Sequence, residues 1–284
     1  MYSKVAAGGA EYDVVIPSDY MIARMIEEDM LEPLNFDNIP NFADIDPNLL
    51  NPAYDPENLY SVPYMWGLLG VIYNKTMVDE ADLGSWDLMW NEKYADDILM
   101  FDNSRDAIGI GLKMLGYSYN TTDENQIKEA VDLLVEQKPL VQAYVMDEVF
   151  GKMEGGNAAV GTYYYGDYLT MVENNPDLGF YIPEEGTNTY VDAMCILKGA
   201  KNKENAEAFI NYMCSTEAGL KNCEEIWYST PLMSVREELD PEVANDPYAY
   251  PDEEIMAKCE SYAGLPQNIL DLYDSEWTRL KSAT

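Results

Sequence analysis

Tyrosine and aspartate are the residues of this chain whose types and spacing could do chemistry. The sequence holds 23 Tyr against 6 Phe and 5 Trp. Several tyrosines fall at the ends of expected strands: Tyr163-Tyr164-Tyr165 before Gly166, Tyr190 just before Asp192, and Tyr228 beside Trp227. Each alone reads as a core or rim aromatic. What points further is the repeated pairing of an aromatic with a carboxylate at strand–helix junctions. Tyr20 lies beside Asp19, Tyr190 lies near Asp192, and Asn103 and Asp106 follow a run ending at Phe101. An aromatic face attracts a cation through its quadrupole, and a carboxylate accepts directly from ammonium donors. Such a set suits an organic amine with a methylene chain, the rings covering the methylenes and the carboxylates taking the charged ends.

Other chemistries compete. The three consecutive tyrosines, with nearby carboxylates, could ligate a ferric ion through phenolate oxygens. A carboxylate-dependent enzyme stays open too, although no spacing singles out an acid and a nucleophile. Asp44-Ile45-Asp46 and Asp55-Pro56-Glu57 lack the spacing and trailing glutamate of a calcium loop and read as loop caps. Gly8-Gly9 and Gly155-Gly156 are isolated pairs rather than a phosphate-binding loop, so no cofactor is implied. The chain contains no histidine, which excludes His-based triads and most catalytic zinc sites. With 52 acidic and 17 basic side chains the formal charge is −35. Such a surface repels nucleic-acid backbones and steers polycations, an attraction that salt screens.

The elements that must position these residues are those of an α/β protein. Tyr12–Pro17 reads as a buried strand, Ser18 as the N-cap of a helix continuing through Ile26, and residues 34–60 as an irregular surface wrap. Residues 60–64 and 68–73 read as strands around a turn at Trp66-Gly67. A strand at 98–101 precedes a helix from about Ser104 to Leu115. The spacing of Ile127, Ala130, Val131 and Leu134 predicts an amphipathic helix over 123–137. Strands are expected at 158–163 and 191–197, helices at 203–213 and 217–226, and a helical tail from Pro251, broken near Gly264-Leu265-Pro266. Alternating helices and short apolar strands argue for partly parallel sheets. Ahead of all this, Met1 to Gly9 reads as the end of a helix followed by a glycine stop, as if the chain begins inside a domain. No run is long and apolar enough to span a membrane. The four cysteines, Cys195, Cys214, Cys223 and Cys259, allow three pairings, and buried thiols are the favoured reading over disulfides.

Five separated segments resemble the spermidine/putrescine-binding proteins of ATP-driven polyamine importers. They are Tyr12–Ser18, Tyr60–Gly67 (YSVPYMWG), Leu115–Asn120 (LGYSYN), Tyr228–Pro231 (YSTP) and Pro241–Asp246 (PEVAND). The likeness runs in consistent register along the whole chain. It implies an α/β fold of periplasmic-binding-protein type II, two lobes with a ligand cleft between them, closing like a hinge. Crossings would fall near Gly67–Leu69, Val191–Asp192 and Arg236. The first lobe would then comprise 1–68 plus 192–236, and the second 69–191 plus 237–284. Carried over residue by residue, the family's amine contacts fall on Ser18, Tyr20, Asn103, Asp106, Tyr164, Tyr190, Asp192 and Tyr228. Tyr64 and Trp66 join them by inference from the crossing strand. At Asn103 the family has an acid, so one charge is lost there. A family glutamine has Tyr262 as its nearest counterpart. The resemblance implies a monomeric, non-catalytic receptor outside the cytoplasm, in the periplasm or as a cell-surface lipoprotein. It would deliver a polyamine to membrane permease and ATPase subunits. Family members begin with a signal segment, a strand, a helix and a second strand that this chain does not show. An incomplete first lobe, with an unpaired sheet edge and exposed apolar surface near Tyr12–Ile16, is the expected consequence.

Overall fold

The computed structural model describes residues 1–8 and 11–283. Helix α1 (Tyr2–Ala6) is followed by Gly8 at φ 70°, a left-handed conformation suited to glycine; Gly9, the other half of the expected stop, lies outside the described residues. Strand β1 is only Val14–Val15, paired antiparallel with Ile196 and Cys195, and its neighbours Tyr12 and Ile16 are exposed. Helix α2 (Asp19–Glu27) buries Asp19, Ile22 and Met25. The wrap that follows contains 3-10 turns at Phe36–Asn38, Pro40–Asp44 and Pro47–Leu49. Asn35 and Asp46 each accept the N–H two residues on, which is how these side chains make turns.

Strand β2 (Ser61–Asn74) corrects the expected turn at Trp66-Gly67: it runs unbroken through both residues. The glycines serve close packing. A Cβ at Gly67 would sit 2.6 Å from the Tyr190 hydroxyl, and the Phe180 ring fills the space a side chain at Gly70 would need. Replacing Gly67 by Ala should push the Tyr190 ring aside and cost about 1–3 kcal/mol of stability by overpacking. Thermal unfolding measures the cost.

The chain continues through β3 (Ile98–Phe101), α3 (Ser104–Met114), α4 (Glu124–Gln137), β4 (Val141–Val145), α5 (Glu148–Glu154), β5 (Val160–Tyr164), α6 (Tyr165–Asn174) and β6 (Leu178–Tyr181). Then come β7 (Thr189–Ile196), α7 (Lys203–Met213), α8 (Thr216–Ile226), α9 (Met233–Glu238), α10 (Pro241–Ala244), α11 (Glu253–Met256) and α12 (Gln267–Ser282). The tail is thus less helical than expected, since nothing between α11 and α12 forms a helix.

The fold falls into two compact units. The first contains Met1–Gly67, Tyr190–Tyr250 and Ser261–Gly264; the second contains Leu68–Thr189, Pro251–Glu260 and Leu265–Thr284. Residues 237–250 therefore belong with the first unit, against the expected passage near Arg236. The cause is local. The Arg236 guanidinium donates to the Ala244 carbonyl at 3.2 Å and lies 4.1 Å from the Tyr250 ring centre, while the Ser229 hydroxyl donates to the Ala249 carbonyl at 2.7 Å.

Ile39, Ile45, Val62, Ile196, Ile210 and Val235 form the centre of the first unit's core. Glu207, 1% exposed, ties the surface wrap to α7 by accepting from Asn35 N at 2.9 Å and Asn38 Nδ2 at 2.6 Å. In the second unit β2 lies between β6 and β5, both antiparallel to it, and β3 runs parallel to β5 and β4. Helices α3 and α4 pack closely because Gly111 has no side chain; a Cβ there would meet the Ala130 carbonyl oxygen at 2.9 Å. Lys138 donates to the carbonyls of Leu280, Lys281 and Ala283 at 2.6–2.9 Å, placing a positive charge at the C-terminal end of α12. Among the described residues no helix is long and apolar enough to cross a membrane.

Candidate functional site

The first unit assembles one group of the expected residues around Asp192. This aspartate lies in β7, paired by an isolated bridge with Ser18 at the start of α2. Ser18 occupies the N-cap position, but its hydroxyl makes no cap hydrogen bond. It donates instead to Asp192 Oδ1 at 2.7 Å. Burial raises the Asp192 carboxyl above its ordinary value, and the Ser18 hydrogen bond offsets part of that rise. A half-buried carboxylate held this way is a poor place for a bare negative charge and a good one for a charge paired with a cation.

Tyr190, on the same strand, meets Tyr228 edge-on with ring centres 5.4 Å apart. Tyr20 meets Tyr262 in the same manner at 6.0 Å. Trp66 is buried; its indole N–H donates to the Thr230 carbonyl at 3.2 Å, and its ring lies 6.2 Å from Tyr250. Tyr64 packs against the unit's apolar core, and burial pushes its phenol up.

The second unit assembles another group at the N-terminus of α3. Asn103 accepts from Arg105 N at 2.9 Å and Asp106 N at 3.4 Å, so its side-chain oxygen caps the helix. Asp106, in the first turn, is 4% exposed, and the Tyr164 hydroxyl reaches its Oδ2 at 3.5 Å. Tyr164 lies 5.0 Å from Tyr163 and 5.6 Å from Phe101, ring centre to ring centre. Two residues here lie outside the expected set: Tyr163, which stacks on Phe101 at 5.4 Å, and Asp147, which accepts from the Tyr163 hydroxyl at 3.3 Å. A consecutive-tyrosine motif signalled the first. No local pattern signals the second.

Burial, then Asp167 and Asp147, push the Tyr163 phenol upward. Among the described residues no three or more His, Cys, Asp or Glu side chains are grouped so as to hold a metal ion. All four cysteines are free thiols, raised by burial, Cys223 to about 11 and Cys214 to about 12.

A mixed α/β chain with aromatic and carboxylate groups at its strand–helix junctions has known relatives. Residues 2–251 match the bacterial extracellular solute-binding proteins, and the chain belongs to that family. Its fold is that of the type II periplasmic binding proteins. Among curated relatives, the spermidine/putrescine-binding periplasmic protein of Salmonella typhimurium is 34% identical over 262 residues, covering 92% of this chain and 75% of the relative. The putrescine-binding periplasmic protein PotF of Escherichia coli is 25% identical, covering 98% and 80%. Among solved structures, the spermidine/putrescine ABC transporter substrate-binding protein PotD of Streptococcus pneumoniae is 41% identical with a TM-score of 0.89, covering 99% and 87%. A putative spermidine/putrescine ABC transporter from Listeria monocytogenes is 36% identical with a TM-score of 0.92, covering 100% and 88%. These relatives are named for binding and transport of polyamines, not for iron.

Proposed function

We propose that this chain is an extracytoplasmic receptor that captures putrescine or spermidine and delivers it to the permease and ATPase of an ABC importer. It acts as a monomer, carries out no reaction of its own and has no nucleic-acid partner. The observation that carries the reading is the Ser18–Asp192 pair, a half-buried carboxylate raised by burial and held in place by a hydroxyl. In this reading Asp192 takes one ammonium group and Asp106 another. Tyr20, Tyr64, Trp66, Tyr164, Tyr190 and Tyr228 cover methylenes, and Ser18 and Asn103 satisfy remaining polar groups. Membership of the solute-binding family and the polyamine names of the relatives support it.

A fluorescence titration with putrescine and with 1,4-butanediol tests the reading. The two have the same chain length and differ in charge. Saturation by the diamine and none by the diol is the expected result; equal responses would exclude carboxylate–ammonium recognition.

Asn103 provides a finer test. Asp caps helices as well as Asn does, so Asn103→Asp should leave thermal stability nearly unchanged. The added charge should tighten putrescine binding by up to about tenfold, the scale of one charge-assisted hydrogen bond. Calorimetry on both proteins reads the difference.

A further inference from the structure

We infer that Asp19 is a positioning residue, one that holds Tyr262 against the start of α2 so that its ring forms a wall beside Tyr20. The inference rests on the polyamine-receptor reading. Residues 261–264 are a short piece of the first unit, preceded and followed in sequence by residues of the second. They contain neither helix nor strand. Asp19 supplies a fixing point. Its carboxylate is fully buried, a costly location for a charge unless its oxygens are satisfied. One oxygen accepts from Tyr20 N at 2.7 Å, the other from Tyr262 N at 3.3 Å. The same side chain thus grips both tyrosine backbones, and the two rings meet edge-to-face at 6.0 Å and 86°. Two residues further on, a Cβ at Gly264 would lie 3.2 Å from the Ala23 side chain, so the segment runs close along α2. Here the two N–H groups fall on different oxygens of the carboxylate, so an amide, which has one acceptor oxygen, cannot serve both positions.

Asp19→Asn tests this, because an amide keeps one acceptor and turns a donor toward the other N–H. Putrescine affinity should fall about tenfold in Asp19→Asn, the scale of one hydrogen bond to a charged group. In a Tyr262→Ala background the same substitution should change affinity by less than about twofold, since the ring it positions is gone. An equal loss in both backgrounds would show that Asp19 acts by its charge alone, and no loss in the parent background would show that it does not act on the site. Either result overturns the inference. Hydrogen exchange at the Tyr262 amide decides the positioning step without ligand. The amide should be protected in the parent and exchange faster in Asp19→Asn; equal protection contradicts it. A parent protein that binds no polyamine would refute the receptor reading, and the exchange measurement would still stand.

Discussion

Replacing Asp192 by Ala is expected to cost about 3–5 kcal/mol of polyamine affinity, because it leaves a buried ammonium without its counter-charge. The effect on the free protein should run the other way. Burial raises the Asp192 carboxyl, so holding it ionised costs stability above its pKa, and acidification relieves that cost. Asp192→Asn should therefore melt no lower than the parent without ligand while binding far more weakly. An ammonium group favours the ionised form. Binding should thus weaken as pH falls through the raised pKa, above the ordinary 3.8, and release a proton when measured in that range or below it. That pH step should be absent from Asp192→Asn. Calorimetry in buffers of different ionisation enthalpy reads the proton directly. Parent-like affinity in either variant would show that the amine is held elsewhere.

The second large effect concerns Asp106. In the parent, putrescine should bind more tightly than n-butylamine, which keeps the chain and one ammonium but lacks the other. Removing Asp106 should take about 1.5–3 kcal/mol from putrescine binding, the value of a hydrogen bond to a charged group. It should take almost nothing from butylamine. The two ligands should then bind Asp106→Ala with nearly equal affinity. Part of any loss in thermal stability reflects the helix instead, since Asp106 lies in the first turn of α3, where a negative charge favours the dipole. The ratio of the two affinities is insensitive to that contribution. A ratio unchanged from the parent would show that Asp106 does not receive the second ammonium.

Local periodicity made much of the fold legible. Ile127, Ala130, Val131 and Leu134 mark a helix by spacing alone, and all four are buried in α4. Residues 203–213, read as a helix, form α7. Glycine misled the reading at Gly67. There it answers to a ring from another strand, which no local pattern contains. The same limit hid the tie between Arg236 and residues 244–250. At the site, Ser18 was visible as a helix start, but the partner of its hydroxyl lies 174 residues away. Spacing could not join them; resemblance to a family did. Resemblance in turn presented Asn103 as a lost charge, and only the geometry shows its oxygen capping α3. Asp19 was noticed for its neighbour Tyr20, whereas its burial and its grip on Tyr262 N depend on the fold.

The central claim is that carboxylates and aromatic rings of this chain recognise a polyamine specifically, beyond the general attraction of a surface with formal charge −35. Calorimetric titration of the chain with putrescine and then spermidine, at low and at moderate salt, tests it most directly. Attraction to an exposed acidic surface is screened over about 10 Å at 0.1 M salt, whereas buried pairs are screened much less. Saturable binding of one polyamine per chain that persists at moderate salt is the expected result. Binding that fades with salt, or never saturates, would contradict it.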